Sequence, residues 1–490
     1  MENISTDIAI VGGGTSGMAA AVAAAENGVR VVVLEKSATT GGTGNMGIGL
    51  FAVGSRLQRE KNINISRAEA FKALMYYNHW KADARLAKKY IDKSADTFDW
   101  LEKMGVKFAG VLSTDPGAYA TVHEISSPAG YVGPGSSSHM IRCMTVRARE
   151  LGVVAKLRTK AKKILKTNGR ITGVLALNEN EDELTVNCKA VIIGTGGFGD
   201  NPEFIKKYTG YEWGRDMLSF RIPGCVGDGI RMAWEAGAGA SEMIMHMIYV
   251  GAESLKETKQ EAELTIASRQ PNLVVNLLGE RFFDEEMMDN NTFTGNAIAA
   301  QKERKAFNII DAATVEYYEK AGLDVIYGVL PHSKIDALGE AIKKATTAGN
   351  QIVFEADTLE ELAVKTGINA AGLLQTIAEY NSACESGHDD VFEKSPKYLK
   401  RPVKTPKFYA FRLLPGAYGT LGGIRINHKL EVLTKDYEVL PGMYAVGSDA
   451  NNQYGDSYCF ILPGHTMGYA VNSGRMAGEN AAAFIKSISQ

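Results

Sequence analysis

An α/β fold is predicted by three segments in which a short apolar strand runs into a cluster of glycines, at 7–17, 190–198 and 442–449. The first continues through an alanine-rich helix into a second apolar strand, so the chain opens with a βαβ unit. Glycine-bearing strand ends recur along 490 residues, a length that suggests a molecule of two or three domains.

The opening strand is Asp7-Ile8-Ala9-Ile10-Val11, and the turn after it carries Gly12, Gly14 and Gly17 at dinucleotide spacing. These glycines serve a tight turn, close backbone approach to a pyrophosphate, and close helix-to-strand packing. The helix that follows points its unpaired N–H groups at the phosphates. The second strand, Val29 to Leu34, closes on Glu35, placed 18 residues after Gly17 to accept hydrogen bonds from ribose hydroxyls. Next comes Lys36-Ser37-Ala38-Thr39-Thr40-Gly41-Gly42-Thr43-Gly44-Asn45-Met46, a loop of the kind that follows the ribose carboxylate in FAD-binding oxidoreductases. A second strand end, Ala190 to Phe198, and a third, Gly442 to Asp449, supply further glycine turns. Gly464 and a helix containing Gly474-Arg475-Met476-Ala477-Gly478 come last. Three such elements converging on one extended cofactor indicate FAD. The lysine-rich run 156–166 alternates and reads as a solvated strand edge.

Composition narrows the class. Hydrophobic residues make up 45% and charged residues 22%, as in ordinary globular proteins, and 54 basic against 56 acidic residues give no support to nucleic-acid or polybasic membrane binding. Five scattered cysteines form no Cys-x-x-Cys pair, which argues against a disulfide framework, c-type haem, an iron–sulfur cluster or a zinc site. The start of the chain lacks the basic region of a signal peptide, so a cytoplasmic location is expected. The uncharged stretches Ile8–Ala25 and Ser37–Ser55 are crowded with glycine and small residues and read as nucleotide loops, not membrane spans.

Several further segments carry a resemblance: Gly227-Asp228-Gly229-Ile230-Arg231-Met232-Ala233, Gly279 to Glu285, Ala356 to Ala363, and Thr420-Leu421-Gly422-Gly423-Ile424-Arg425-Ile426-Asn427. With the glycine elements they make nearly the whole chain similar to the flavoprotein family of fumarate reductase, succinate dehydrogenase and 3-ketosteroid dehydrogenase. The resemblance implies a Rossmann-like FAD-binding domain of glutathione-reductase type, 1–242 and 351–490, split by an inserted α+β capping domain at 243–350. It implies FAD contacts from Gly12, Gly14, Thr15, Ser16 and Gly17, from Glu35 and Lys36, and from Gly41, Gly42, Thr43, Gly44, Asn45 and Met46. Ala161, Thr195, Gly196, Gly197, Asp228, Ser448 and Asp449 are expected to join them, as are Gly464, His465, Thr466 and Met467. Covalent relatives tether FAD through a histidine in the loop here running from Thr43 to Gly54. That loop has none, so FAD is expected to be noncovalent, with electrons from outside, by NAD(P)H or a redox protein.

Fumarate-reducing members hold a dicarboxylate with histidines and arginines. Carried over, those positions fall on Tyr249, on Gly419 or its neighbour Tyr418, and near Ile461, and Met287 to Asn296 contains no arginine. Two carboxylates buried without cations are strongly disfavoured. Tyr454-Gly455-Asp456-Ser457-Tyr458, followed by Pro463-Gly464-His465-Thr466-Met467-Gly468, resembles instead the ketosteroid dehydrogenase run in which a tyrosine hydroxyl and a glycine N–H polarise a ketone. Tyr458 and Gly464 match, although an ungapped count back from Gly468 places Phe460 opposite the tyrosine. Catalytic roles are thus expected for Tyr458, Tyr249, Tyr418 and Gly464. Each tyrosine has packing as its plainer alternative. His246 and Met243, Met245, Met247, Met287 and Met288 read as core or pocket lining, and Asp456 as a turn residue.

The expected activity is FAD-dependent hydride transfer, reduction before desaturation, on an activated carbon of an uncharged cyclic substrate of steroid-enone or polyphenol and isoflavonoid type. Two alternatives stand beside it: a fumarate reductase-like enzyme with relocated charges, and a non-catalytic FAD electron-transfer protein.

Overall fold

The structure, a computed structural model, describes residues 2–114, 117–219, 223–250, 259–326, 335–349, 351–455 and 457–489, and for 219, 249, 250 and 259–261 the backbone alone. Two compact units emerge. The first comprises Met1–Gly210, Arg221–His246 and Gly419–Gln490; the second comprises Tyr211–Phe220 and Met247–Tyr418.

The first unit is built on a six-stranded sheet in the order Glu431–Leu433, Val439–Ala445, Ala190–Ile193, Ile8–Val11, Val31–Leu34, Val154–Lys156. All neighbours are parallel except the first pair, and Ile8 to Val11 lie opposite Ala190 to Ile193 on one side and Val31 to Leu34 on the other. Every residue of those three strands is buried, the apolar run expected of a sheet covered on both faces. The helices Thr15–Glu26 and His465–Ser487 pack against each other through small residues. A Cβ on Gly474 would run into the Ser16 carbonyl, and one on Gly478 into that of Ala20, so both helices need glycine to approach this closely. A four-stranded sheet, Glu2–Ser5, Glu183–Asn187, Arg170–Leu177 and Lys160–Thr167, has the lysine-rich strand at its edge, as its alternation suggested. A three-stranded sheet, Gly49–Phe51, Val122–Ser126 and Lys107–Leu112, completes the strands of this unit that position the site. Beside it runs Ala84–Lys103, whose buried Leu86, Ala87, Tyr90, Ile91, Ser94 and Ala95 recur at helical spacing, and whose N-cap Asp83 accepts from the Arg85 and Leu86 N–H groups.

The second unit is mixed. Its part of the strand Phe408–Ile424, as far as Tyr418, pairs antiparallel with Ala306–Asp311 and Val353–Ala356, and Ala306–Asp311 pairs with Leu273–Asn276. Helices Leu359–Thr366 and Ala370–Ser386 cover one core, with Leu273, Phe307, Leu362 and Tyr380; Leu338–Thr347 and Ala312–Lys320 enclose another, with Ile310, Tyr318 and Phe411. The boundary expected at 350 falls inside this unit, which also takes in 351–418 and 211–220. The physical reason is strand pairing across long separations: Phe354 lies opposite Ala410 and Ile309 opposite the same residue on its other side. A buried charge network ties 281–285 to 389–394. Arg281 binds Glu285 at 2.7 Å and Asp389 at 2.8 Å, and Lys394 reaches Glu285 at 3.3 Å and the Pro271 carbonyl at 2.7 Å. Buried ions are tolerated only when paired in this way.

Candidate functional site

Four loops leave the carboxyl ends of the central parallel strands, at 12–17, 35–46, 194–197 and 446–449. This edge of an open α/β sheet is where ligands bind. The glycines of the first loop divide their work as the sequence implies. Gly12 has φ +103° and a Cβ there would strike the Gly194 carbonyl, while a Cβ on Gly17 would strike Gly12 itself. A Cβ on Gly14 would meet only the Gly41 carbonyl, at 4.0 Å, and Gly14 stands at the N-cap of Thr15–Glu26 without any side-chain hydrogen bond. The helix therefore offers bare N–H groups and the positive end of its dipole to whatever occupies that mouth. Gly42, Thr43 and Met46 are exposed, and Gly12, Asn45, Thr195, Gly196, Ser448, Gly464 and Met467 are partly so, which leaves a line of accessible loop backbone along the sheet edge.

The charged members of this line are fixed by partners of their own. Glu35 accepts from the Gly13 N–H at 2.6 Å and the Ser37 N–H at 2.7 Å, and the Thr159 N–H donates to its carbonyl at 2.8 Å, bringing the strand with Ala161 alongside. Lys36 binds Asp228 at 2.7 Å and the Gly224 carbonyl, and Asp228 also takes Arg231 at 2.8 Å and Lys160 at 3.7 Å. Burial pushes the Asp228 carboxyl up, yet the Lys36 ammonium and its neighbours hold it below the usual range. Asp449 is fully buried and spans the third and fourth loops. It accepts from the Gly197 N–H at 2.8 Å, from the Thr195 hydroxyl at 2.9 Å and from the Thr195 N–H. Thr195 Oγ1 in turn accepts from the Gly229 N–H at 3.1 Å. Lys36, Asp228, Thr195 and Asp449 thus shape the loops by binding one another. In the second loop the Asn45 side chain folds over Gly41, Thr15 Oγ1 meets Met467 Sδ at 3.7 Å, and Ser137 anchors the Gly44 and Gly47 carbonyls at 2.5 and 2.7 Å.

At the end of the line stands the first turn of His465–Ser487. Gly464, at φ +90°, caps it, and its carbonyl accepts from the Phe51 N–H at 2.9 Å; a Cβ there would lie 2.8 Å from that nitrogen. The Tyr458 oxygen accepts from the Thr466 N–H at 3.1 Å and lies 2.9 Å from the Thr466 hydroxyl, so it is held over the helix start. Around Tyr458 lie His246, Tyr454 and Phe460, at ring separations of 3.5, 4.9 and 5.4 Å. His465 stacks on Phe51 at 4.2 Å, with Tyr90 and Tyr454 beyond. Burial alone pushes both imidazoles down to about 3, so each is neutral at physiological pH, and it pushes the Tyr90 and Tyr454 phenols well above their usual range.

The structure thus unites Tyr458, Gly464, His465 and Thr466. The His465 ring is completely enclosed by protein, so it faces its aromatic neighbours and not the accessible line. Tyr418 is 41% exposed on the long strand of the second unit. Tyr249 sits on Ala240–Val250, and its side chain lies outside the described residues, as does Asp456. Met243, Met245, Met247 and Met288 are buried. Sequence reasoning missed Phe51 and Tyr90, which enter the cluster from a strand and a helix with no local motif. It also missed Thr420, whose hydroxyl accepts from the Phe198 N–H at 2.9 Å and packs under Gly197. Among the described residues, no three His, Cys, Asp or Glu side chains are arranged to hold a metal ion, and no helix is long and apolar enough to cross a membrane.

The open mouth at Gly14 and Gly42, the uncapped helix and the glycine trail suit an extended dinucleotide. Residues 7–458 match the family described as FAD binding domain. The chain is 36% identical over 490 residues to the vinyl phenol reductase of Lactiplantibacillus plantarum (strain ATCC BAA-793 / NCIMB 8826 / WCFS1), covering 98% of this chain and 97% of that one. It is 29% identical to the fumarate reductase (cytochrome) of Shewanella frigidimarina, over 98% of this chain and 77% of the relative. Among solved structures, the 3-ketosteroid-delta4-(5alpha)-dehydrogenase of Rhodococcus jostii RHA1, in complex with 4-androstene-3,17-dione, superposes with a TM-score of 0.75 at 22% identity, over 98% of both chains. At that identity the likeness is one of fold.

Proposed function

The chain belongs to the FAD-binding-domain family and is an FAD-dependent oxidoreductase related to fumarate reductases and ketosteroid dehydrogenases, and from that premise we propose that it reduces an activated carbon–carbon double bond in an uncharged cyclic compound, with phenolic alkenes favoured. One observation carries the reading. The rings described against Tyr458 are those of His246, Tyr454 and Phe460, and burial holds His246 uncharged. Uncharged rings of this kind favour an apolar ring beside them over a dicarboxylate, which needs cationic partners. The vinyl phenol reductase relative, similar along nearly its full length, supports the phenolic branch.

Bound along the open loops, FAD in its reduced form supplies hydride chemistry. The chain's own contribution is to bind and to place a proton. Gly12, Gly14, Thr15, Ser16 and Gly17 would cradle the pyrophosphate, and Glu35 the ribose, with the loop 41–46, Ala161, 195–197 and Ser448 completing the cofactor's bed. Asp228, Lys36 and Asp449 act by fixing those loops. Tyr458, oriented by Thr466, would give its proton to the carbon that does not receive hydride, or hold the substrate oxygen together with the Gly464 N–H as charge develops there. Tyr249 and Tyr418 are proposed as substrate-contacting tyrosines on the family resemblance. The absence of histidine from Thr43 to Gly54 supports noncovalent FAD, and electrons would come from NAD(P)H or a redox protein; a cytoplasmic setting fits that donor.

The test is anaerobic turnover of the FAD-loaded protein with reduced viologen as donor, offering a vinyl phenol, a steroid enone and fumarate separately and identifying products. Conversion of a neutral ring compound to its saturated form is expected. Conversion of fumarate alone would overturn the reading and favour a fumarate reductase with charges placed elsewhere.

A further inference from the structure

Behind Tyr458 the first unit buries polar side-chain atoms that no described residue satisfies. They are Asn78 Oδ1, Tyr90 OH, both ends of the Gln453 amide, Tyr454 OH and both ring nitrogens of His465. All five residues are 0% exposed. Several of them lie close together. The Asn78 amide donates to the Gln453 carbonyl at 3.1 Å, Tyr454 follows Gln453 in sequence, and the Tyr454 ring lies 4.9 Å from that of Tyr458 and 5.6 Å from that of His465. Tyr90 closes the group at 5.4 Å from His465, its hydroxyl resting against Gly468, where the helix has no side chain. Asn78 is followed in the chain by the exposed residues His79, Trp80 and Lys81.

Protein interiors seldom leave buried donors and acceptors unpaired, and where several converge the ordinary partner is bound water. The group is too enclosed for a flavin or a substrate ring, and a neutral imidazole and an amide each supply one donor and one acceptor side, which suits a chain of water molecules. We propose that Asn78, Gln453, Tyr454, Tyr90 and His465 hold a cluster of ordered waters that returns a proton from solvent to the Tyr458 hydroxyl after each turnover. The inference rests on the proposed function. In the reaction it serves, the alkene π bond breaks and two C–H bonds form. The two electrons arrive with the hydride from reduced FAD, the proton leaves the Tyr458 oxygen, and the nearest water replaces it while the cluster draws one proton from bulk solvent. Tyr454 and Gln453 are then positioning residues, acting on the substrate only through Tyr458.

Two measurements test the proposal. A high-resolution crystal structure of the FAD-loaded protein should show ordered waters within hydrogen-bond distance of Tyr454 OH and the Gln453 amide; an anhydrous cluster overturns the proposal. Tyr454→Phe, with Gln453→Leu as the second variant should the first fold poorly, is then compared with the parent in single-turnover reoxidation by whichever alkene the parent reduces. Reoxidation should slow on the order of tenfold, with an enlarged solvent deuterium isotope effect, unchanged KM, and unchanged reoxidation by ferricyanide, which takes electrons and needs no proton at carbon. Equal slowing with ferricyanide, or an unaltered isotope effect, would mark Tyr454 as structural and overturn the proposal. If the parent reduces none of the three alkenes, the proposed function fails first and the water cluster loses the reaction it serves.

Discussion

Tyr458 is the residue on which the proposed chemistry turns. Its hydroxyl is tied to Thr466 at the first turn of a long helix, and removing it takes away a proton donor without emptying the space its ring fills. Tyr458→Phe is expected to lower kcat on the order of 100-fold while leaving FAD affinity, measured by flavin fluorescence, unchanged; equal turnover by the variant would remove Tyr458 from the mechanism. The buried histidines give a second prediction. Burial pushes His123 down to about 4 and His246 and His465 down to about 3, against an ordinary value near 6.5 in the unfolded chain. Below about pH 6.5 the unfolded chain therefore binds protons that the folded one refuses, so stability is full above that pH and falls as pH drops toward 3. Urea midpoints between pH 7 and pH 4 should decline, and His123→Gln should shallow the slope. Of these residues Tyr458 was singled out in sequence, from a short motif beside a glycine helix start, and the structure ties its hydroxyl to that start through Thr466. The ion pair of Lys36 with Asp228 was not, because 192 residues separate the partners and neither carries a local signal of the other.

At the scale of elements, the βαβ unit was readable because its rules are local: strand period, glycine spacing and a terminal carboxylate all lie within residues 7–35. The same holds for the glycines of the last helix, although their reason lies across the molecule, in the backbone of Thr15–Glu26. Gly474→Ala should cost about 1–3 kcal/mol through overpacking against Ser16. Gly419→Ala, at a position with nothing within 4 Å of the added methyl, should be near neutral. Thermal midpoints of the two variants check this, and equal midpoints would mean that the helices part without cost. The aromatic cluster shows the opposite case. Phe51 and Tyr90 belong to an ordinary strand and an ordinary amphipathic helix, and only tertiary packing brings them to His465.

At the scale of the whole molecule, the family resemblance implied a cofactor domain split by an insertion, but the extent of the second unit left no local signal. Its long strand 408–424 lies about a hundred residues from its partner 306–311, and pairing at that range leaves no trace in local periodicity. The uncharged rings described against Tyr458 support the proposed preference for an uncharged ring compound over a dicarboxylate. The most direct test is competition in one anaerobic vessel: the dithionite-reduced, FAD-loaded protein is offered a vinyl phenol and fumarate at equal concentration, and the saturated products are counted. Their ratio is the ratio of kcat/KM values, and so of transition-state binding. A product mixture dominated by the alkyl phenol is the predicted result, and one dominated by succinate would contradict the account.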